Sequence, residues 1–177
     1  MIASSLTRFA ARKGWPKDES FLIHGEWSGC PVTLVDGEGF IELVFSLPGF
    51  AESGSAWDSL KSTIDEYSGI KIVGRFVIDG FLAIRIRRHP LSLAPSADSL
   101  DLFMTIIMDQ AADLGLIAPH VCAICHQPVE ERSTLFDLTC YVHPDCRTNA
   151  GDTLPSYPPY LRYEEFGKDP YRSLKTK

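Results

Sequence analysis

The sequence predicts an α+β protein: a five-stranded antiparallel sheet with the element order α-βββ-α-ββ-α, followed by a small C-terminal module. Three observations predict this class. Segments with apolar residues at helical spacing alternate with short runs of strand-forming residues. Turn residues join the strand-like runs, which favours antiparallel pairing. The chain has 177 residues, of which 45% are hydrophobic and 23% charged, so it can bury a core in water.

The first helix and the first three strands are predicted in residues 1–47. Apolar residues recur at helical spacing near the start of the chain: Ile2, Leu6, Phe9 and Ala10. Gly14 and Pro16 end this helix, and three strand-like runs follow at 21–27, 31–37 and 39–47. The third run is apolar on both faces, which predicts a central position in the sheet.

A hairpin between two helices is predicted in the next part of the chain. Ser55 is a candidate N-cap for the second helix, which carries an apolar stripe. Asp79 and Gly80 separate two alternating runs and are the strongest hairpin signal in the protein. Ser96 is a candidate cap for a long apolar third helix, which is predicted to end at Gly115.

Charge and composition exclude several classes of protein. The net charge of −6 argues against nucleic-acid binding over the whole surface, because that affinity depends on neutralising phosphates with Lys and Arg. No apolar run reaches the roughly 18 residues of a membrane span. The basic N-terminus is more typical of a docked amphipathic helix than of a transit peptide. Four of the five cysteines lie within 25 residues, which favours a reducing compartment, and the predicted localisation is cytoplasmic.

The cysteine-rich segment carries four candidate metal ligands. Cys122 and Cys125 form a C-x2-C pair, and His143 and Cys146 form an H-x2-C pair, with 17 residues between Cys125 and His143. Each tight turn can aim two side chains at one point, and the segment between the pairs can fold back as a hairpin. The spacing therefore predicts one Zn²⁺ held by these four residues. Cys140 is an alternative to His143 as the third ligand, because it lies three residues earlier.

The predicted zinc site is structural. Four protein ligands complete a tetrahedron, whereas a catalytic zinc keeps one position for water. The metallopeptidase pattern H-E-x-x-H and the deaminase pattern H-x-E with P-C-x-x-C are absent from the sequence. A thioredoxin-like redox pair at Cys122 and Cys125 is disfavoured because the pair leads into a proline turn. His24 and Cys30 are predicted to be packing residues, and the protein is predicted not to be an enzyme.

Basic residues recur along the fourth and fifth strands. The residues at alternating positions are Lys71, Arg75, Arg85 and Arg87. Their spacing predicts that the hairpin places them on one face of the sheet. Such a face can be a solvated surface or a docking surface for an acidic or phosphate-bearing partner. The alternative function is therefore a zinc-containing nucleic-acid-binding protein that uses this face.

Two resemblances to known families follow from these patterns. The pair His143 and Cys146 resembles the second half of a treble-clef or LIM-type zinc finger, in which the last ligands open a short helix; the second zinc half of a LIM domain is missing. The order α-βββ-α-ββ-α in an acidic domain is similar to that of bacterial type III secretion chaperones. This resemblance implies a bacterial, chaperone-like adaptor that binds a protein partner and forms a homodimer. It implies no binding residues.

The predicted organisation has three parts. Residues 1–117 form the chaperone-like α+β domain, residues 118–150 form the zinc knuckle, and residues 151–177 form an arm rich in Pro and Tyr. The sheet face or the third helix is predicted to dock the protein partner, and zinc is predicted to order the C-terminal module.

Overall fold

The computed structural model describes residues 5–15, 22–37, 40–78, 80–87, 95–130, 132–135 and 138–150. The predicted arm at 151–177 lies outside the described residues, as do Ile2 and Asp79. The elements in chain order are α1 (Ser5–Lys13), β1 (Leu22–Trp27), β2 (Cys30–Gly37), β3 (Phe40–Ser46), α2 (Ser55–Glu66), β4 (Ile72–Ile78), β5 (Phe81–Arg87), α3 (Ala97–Asp113), β6 (Arg132–Leu135), β7 (Leu138–Tyr141) and α4 (Pro144–Ala150). None of the described helices has the length and hydropathy that a membrane span requires.

The strands β1 to β5 form one antiparallel sheet in the order β1-β2-β3-β5-β4. This confirms the predicted α+β class, and β3 lies at the centre of the sheet, as its two apolar faces predicted. β4 and β5 form the predicted hairpin, in which Ile78 pairs with Phe81. Gly80 in the turn has a φ of +78°, a left-handed conformation that glycine adopts without strain.

The helices α1, α2 and α3 cover one face of this sheet. Alternate residues of β3 point toward them, and Ile41, Leu43 and Phe45 are fully buried in that cluster. α3 packs against both α1 and α2, and its apolar side closes the cluster. Burial of each such side chain stabilises the fold by about 2 kcal/mol, so this cluster is the main core of the protein.

One of the two predicted N-cap residues is confirmed, and the other is not. Ser96 is the N-cap of α3, and its hydroxyl accepts a hydrogen bond from the backbone N–H of Ser99, as predicted. Ser55, the predicted cap of α2, is instead the first helical residue. Gly54 occupies the cap position and offers no side chain for a capping bond.

The C-terminal module packs on the other face of the sheet. Four residues of this face lie in one cluster with the module: Val35, Val44, Phe81 and Ala83. The module contributes Val129, Cys140, Tyr141 and Val142 to the same cluster. The second apolar face of β3 is therefore explained, because a small module covers it rather than a second layer of helices.

The prediction of one basic sheet face is wrong. The two-residue turn pairs Ile78 with Phe81, so that Arg75 lies opposite Ile84 and not opposite Arg85. Because successive residues of a strand point to opposite faces, Arg75 and Arg85 lie on opposite sides of the sheet. Two of the four basic residues, Lys71 and Arg87, are exposed.

Arg75 and Arg85 each contact a carboxylate on their own side of the sheet. Arg75 bonds Asp65 of α2, with 2.6 Å between the guanidinium nitrogen and the carboxylate oxygen. Arg85 is only 3% exposed and lies 3.1 Å from the carboxylate of Glu42, which is 1% exposed. Its guanidinium also lies over the ring of Phe40, 4.3 Å from the centroid. Arg85 is therefore part of the buried structure and not of a docking surface.

Candidate metal centre

Two turns and the start of a helix position the four predicted ligands. Cys122 and Cys125 lie in a tight turn whose ends are joined by a bridge between Val121 and Pro128. Within it, the N–H of Cys122 donates to the carbonyl of Gln127. The chain thus reverses next to Pro128, where the sequence predicted a turn.

The second pair of ligands follows the small hairpin of β6 and β7. These strands fold the segment between the two pairs back on itself, as the spacing predicted. His143 lies just after β7, and Cys146 lies in the first turn of α4. The N–H of Arg147 donates to the carbonyl of His143, which starts the helix at the second pair.

The four side chains meet at one point. The sulfur atoms of Cys122, Cys125 and Cys146 and a ring nitrogen of His143 all lie within 4.8 Å of one another. Nδ1 of His143 is 3.3 Å from Sγ of Cys125 and 3.8 Å from Sγ of Cys146. A tetrahedral zinc with bonds of ~2.3 Å to sulfur and ~2.0 Å to nitrogen separates its ligand atoms by about 3.5–3.8 Å. This group can therefore hold a metal ion.

His143 is oriented by its second ring nitrogen. Nε2 lies 2.9 Å from the carbonyl oxygen of Pro128. A carbonyl can only accept a hydrogen bond, so Nε2 carries the proton and the lone pair is on Nδ1, the nitrogen that faces the sulfur atoms. Such a bond is typical of histidine ligands, because it fixes the tautomer and the ring orientation.

The backbone around the first turn favours a thiolate at Cys122. Burial raises the pKa of this thiol, but hydrogen bonds to the sulfur from the N–H groups of Cys125, His143 and Ile124 and from the thiol of Cys125 together lower the pKa to about 6. The bond from Ile124 has a length of 3.4 Å. Desolvation and the neighbouring sulfurs of Cys125 and Cys122 raise the pKa of Cys146 to about 11. A divalent cation removes this repulsion between sulfurs, which is a driving force for metal binding.

Cys140, the alternative ligand, is not part of the group that converges. Its side chain is fully buried between the module and the sheet, in the cluster that also contains Val44 and Val142. Burial, reinforced by the charge of Cys122, raises the pKa of Cys140 to about 12. This thiol therefore stays protonated and acts as a small apolar side chain.

The other two candidates of the sequence are buried away from the metal group. Nδ1 of His24 lies 3.2 Å from the hydroxyl oxygen of Thr33 on the neighbouring strand. Burial raises the pKa of Cys30, whose side chain belongs to the helix-side cluster. Neither residue is in the converging group.

The sequence analysis missed two polar contacts on the face under the module. The hydroxyl of Tyr141 donates to the carboxylate of Glu26, which joins β7 to β1. The second contact is the buried pair of Glu42 and Arg85. Glu42 is the only charged residue of β3, and this isolated acid within an apolar strand was the available signal.

The residues described so far establish an α+β fold with a five-stranded antiparallel sheet and a C-terminal group of three cysteines and one histidine that can hold a metal ion. No protein-family model, no curated protein and no solved structure matches the chain.

Proposed function

We propose that Cys122, Cys125, His143 and Cys146 bind one structural zinc ion and that the protein works as a non-enzymatic, chaperone-like adaptor in the cytoplasm. The observation that carries this proposal is the convergence of four soft donors within 4.8 Å. Three thiols and an imidazole suit zinc better than a hard cation such as Mg²⁺. Four protein donors leave no position for a reactive water at this ion, so the proposed zinc is structural rather than catalytic.

Zinc would hold the module on the sheet. The four ligands come from the turn at Cys122, the end of β7 and the start of α4, so one ion joins three segments that share little secondary structure. Structural zinc supplies about 10 kcal/mol of apparent binding energy or more, which exceeds what so small a module can gain by packing alone. The module would then cover the second sheet face only when the metal is bound.

Binding to a protein partner is supported by the element order and by the surface. The resemblance to secretion chaperones depends on the order of the elements from α1 to α3. The proposal that the protein forms a homodimer comes from the same resemblance. The second sheet face is packed against the module and is not a free surface for a client. The exposed side of α3 is available instead, and Leu102 on it is 56% exposed.

The nucleic-acid alternative gains no support from the described residues. Arg75 and Arg85 lie on opposite sides of the sheet, and each contacts a carboxylate. The surface that this alternative requires is therefore not assembled in the described part of the chain.

Metal analysis of the purified full chain tests the zinc site. We expect one zinc per chain and visible absorption typical of tetrahedral coordination by three sulfurs and a nitrogen when Co²⁺ replaces zinc. His143→Asn should abolish this signal, whereas His126→Asn in the same module should keep it, because His126 is outside the converging group. Less than half a zinc per chain in the wild type would contradict the proposal.

Isolation of the protein from its own cells tests the adaptor role. Under gentle lysis we expect a complex with a protein partner that forms again from the purified components. If the protein elutes from a size-exclusion column without a partner at both low and high protein concentration, this result would contradict the adaptor role. Light scattering on the purified chain tests the homodimer separately.

A further inference from the structure

A groove of about 460 Å³ lies beside the metal centre. One wall is the segment Pro128, Val129 and Glu130, and the other wall is the segment Val142, His143 and Pro144. The bond from Nε2 of His143 to the carbonyl of Pro128 joins the two walls. The width of the groove therefore depends on the same histidine that is oriented toward the three sulfurs.

The groove combines an apolar lining with one acidic group. Of the lining residues, Val129 and Val142 are buried, while Pro128 and Pro144 are exposed. Glu130 is exposed and has no ion-pair partner among the described residues. Among the described residues that line the groove, none is Lys or Arg, and Glu130 is the one carboxylate.

These features match a long side chain that ends in a cation. The methylene stem of lysine or arginine packs well on apolar surface while its charged end remains at the rim in water. Ligands with a carboxylate or phosphate are disfavoured, because Glu130 and the net charge of −6 repel them. Pro128 and Pro144 have a φ that the ring fixes, which restricts the backbone at one residue of each wall.

We propose that this groove binds a lysine or arginine side chain on a basic segment of the protein partner. The inference rests on the proposed adaptor function and names the chemistry by which the partner is recognised. The groove would be complete only in the metal-bound state, since the two walls carry or adjoin the zinc ligands.

Titration of the zinc-loaded full chain with short peptides tests this proposal. The probe is acetyl-Ala-Lys-Ala-amide, and the matched control peptide has norleucine in place of lysine, which keeps the stem and removes the charge. In two-dimensional amide NMR spectra we expect saturable shifts around Val129, Glu130 and His143 with the lysine peptide, and weaker binding of the norleucine peptide.

Two glutamate variants separate local recognition from general attraction. Glu130→Gln should weaken the lysine peptide about threefold, the size of effect expected for one exposed ion pair. Glu66→Gln lowers the negative charge equally but lies at the end of α2, across the sheet from the module, and should leave the affinity unchanged. Equal weakening by both variants, or equal binding of both peptides, would overturn the proposal.

The metal content of each sample distinguishes this failure from failure of the zinc site. A chain that carries one zinc and shows no shifts at the groove with the lysine peptide contradicts only the groove assignment. A chain that carries no zinc contradicts the proposed function itself. Glu130 is exposed, so its replacement by Gln is expected to leave the fold and the zinc content intact.

Discussion

At the scale of single residues, two buried cysteines behave in opposite ways. Cys122 and Cys140 are both fully buried, yet the pKa of the first is lowered to about 6 and that of the second is raised to about 12. Both thiols are desolvated, but three backbone N–H groups donate to Cys122. Hydrogen bonds to the sulfur therefore favour the thiolate of Cys122, whereas desolvation keeps the thiol of Cys140 protonated as a packing residue.

Serine substitutions at these two cysteines are expected to separate metal binding from packing. Cys140→Ser should keep one zinc per chain but lower the free energy of unfolding by about 1–3 kcal/mol, because a hydroxyl is placed in an apolar cluster. Cys122→Ser should lose the zinc. Metal analysis and urea denaturation measure both effects. Loss of zinc in Cys140→Ser together with its retention in His143→Asn would show that Cys140, and not His143, is the third ligand.

Zinc affinity is expected to rise with pH. At pH 7 the thiol of Cys146, with a pKa of about 11, carries a proton that the metal must displace, whereas Cys122, with a pKa of about 6, is already mostly thiolate. The metal-bound state therefore holds fewer protons, and a higher pH favours it. Each displaced proton contributes a factor of about ten in affinity per pH unit. Competition with a chromophoric chelator between pH 6.5 and 8 measures this slope, and an affinity independent of pH would contradict the assignment.

At the scale of elements, local sequence patterns predicted the helices and strands themselves better than they predicted how these elements pack against one another. The two apolar faces of β3 and the turn at Gly80 were sufficient to predict a central strand and a hairpin. The face of the sheet on which Arg75 lies depends on which residues pair across the turn between β4 and β5. A shift of this register by one residue would move every side chain of the strand to the other face. That the module covers the second sheet face could not be predicted, because it is a long-range contact that no local period records.

The buried pair of Glu42 and Arg85 gives a prediction at this scale. Glu42→Gln is expected to lower the free energy of unfolding by about 3 kcal/mol, because the guanidinium loses a charged partner where water cannot replace it. The exposed pair of Asp65 and Arg75 is the control, and Asp65→Asn should cost less than about 1 kcal/mol. Equal costs in urea denaturation would contradict the distinction between the two sides of the sheet.

At the scale of the whole molecule, the module and the sheet share one core. The module has no apolar cluster of its own among the described residues, and its buried side chains pack with Val35, Val44 and Phe81. The connection between the two parts is close, because a Cβ added at Gly29 would lie 2.4 Å from Cβ of Pro119. Gly29 also has a φ of +78°, so a larger residue at the join would be both strained and crowded.

Removal of zinc is therefore expected to affect the sheet as well as the module. A strong chelator should release the module and expose the second face, which contains Val44, Phe81 and Ala83, while the helix-side cluster remains packed. The expected signs are increased binding of a hydrophobic dye, loss of amide protection in residues 121–147, retained helical circular dichroism and a lower unfolding midpoint for the sheet. If the midpoint of the sheet does not change when the metal is removed, the two clusters unfold independently. In that case the shared core does not couple metal binding to the stability of the fold.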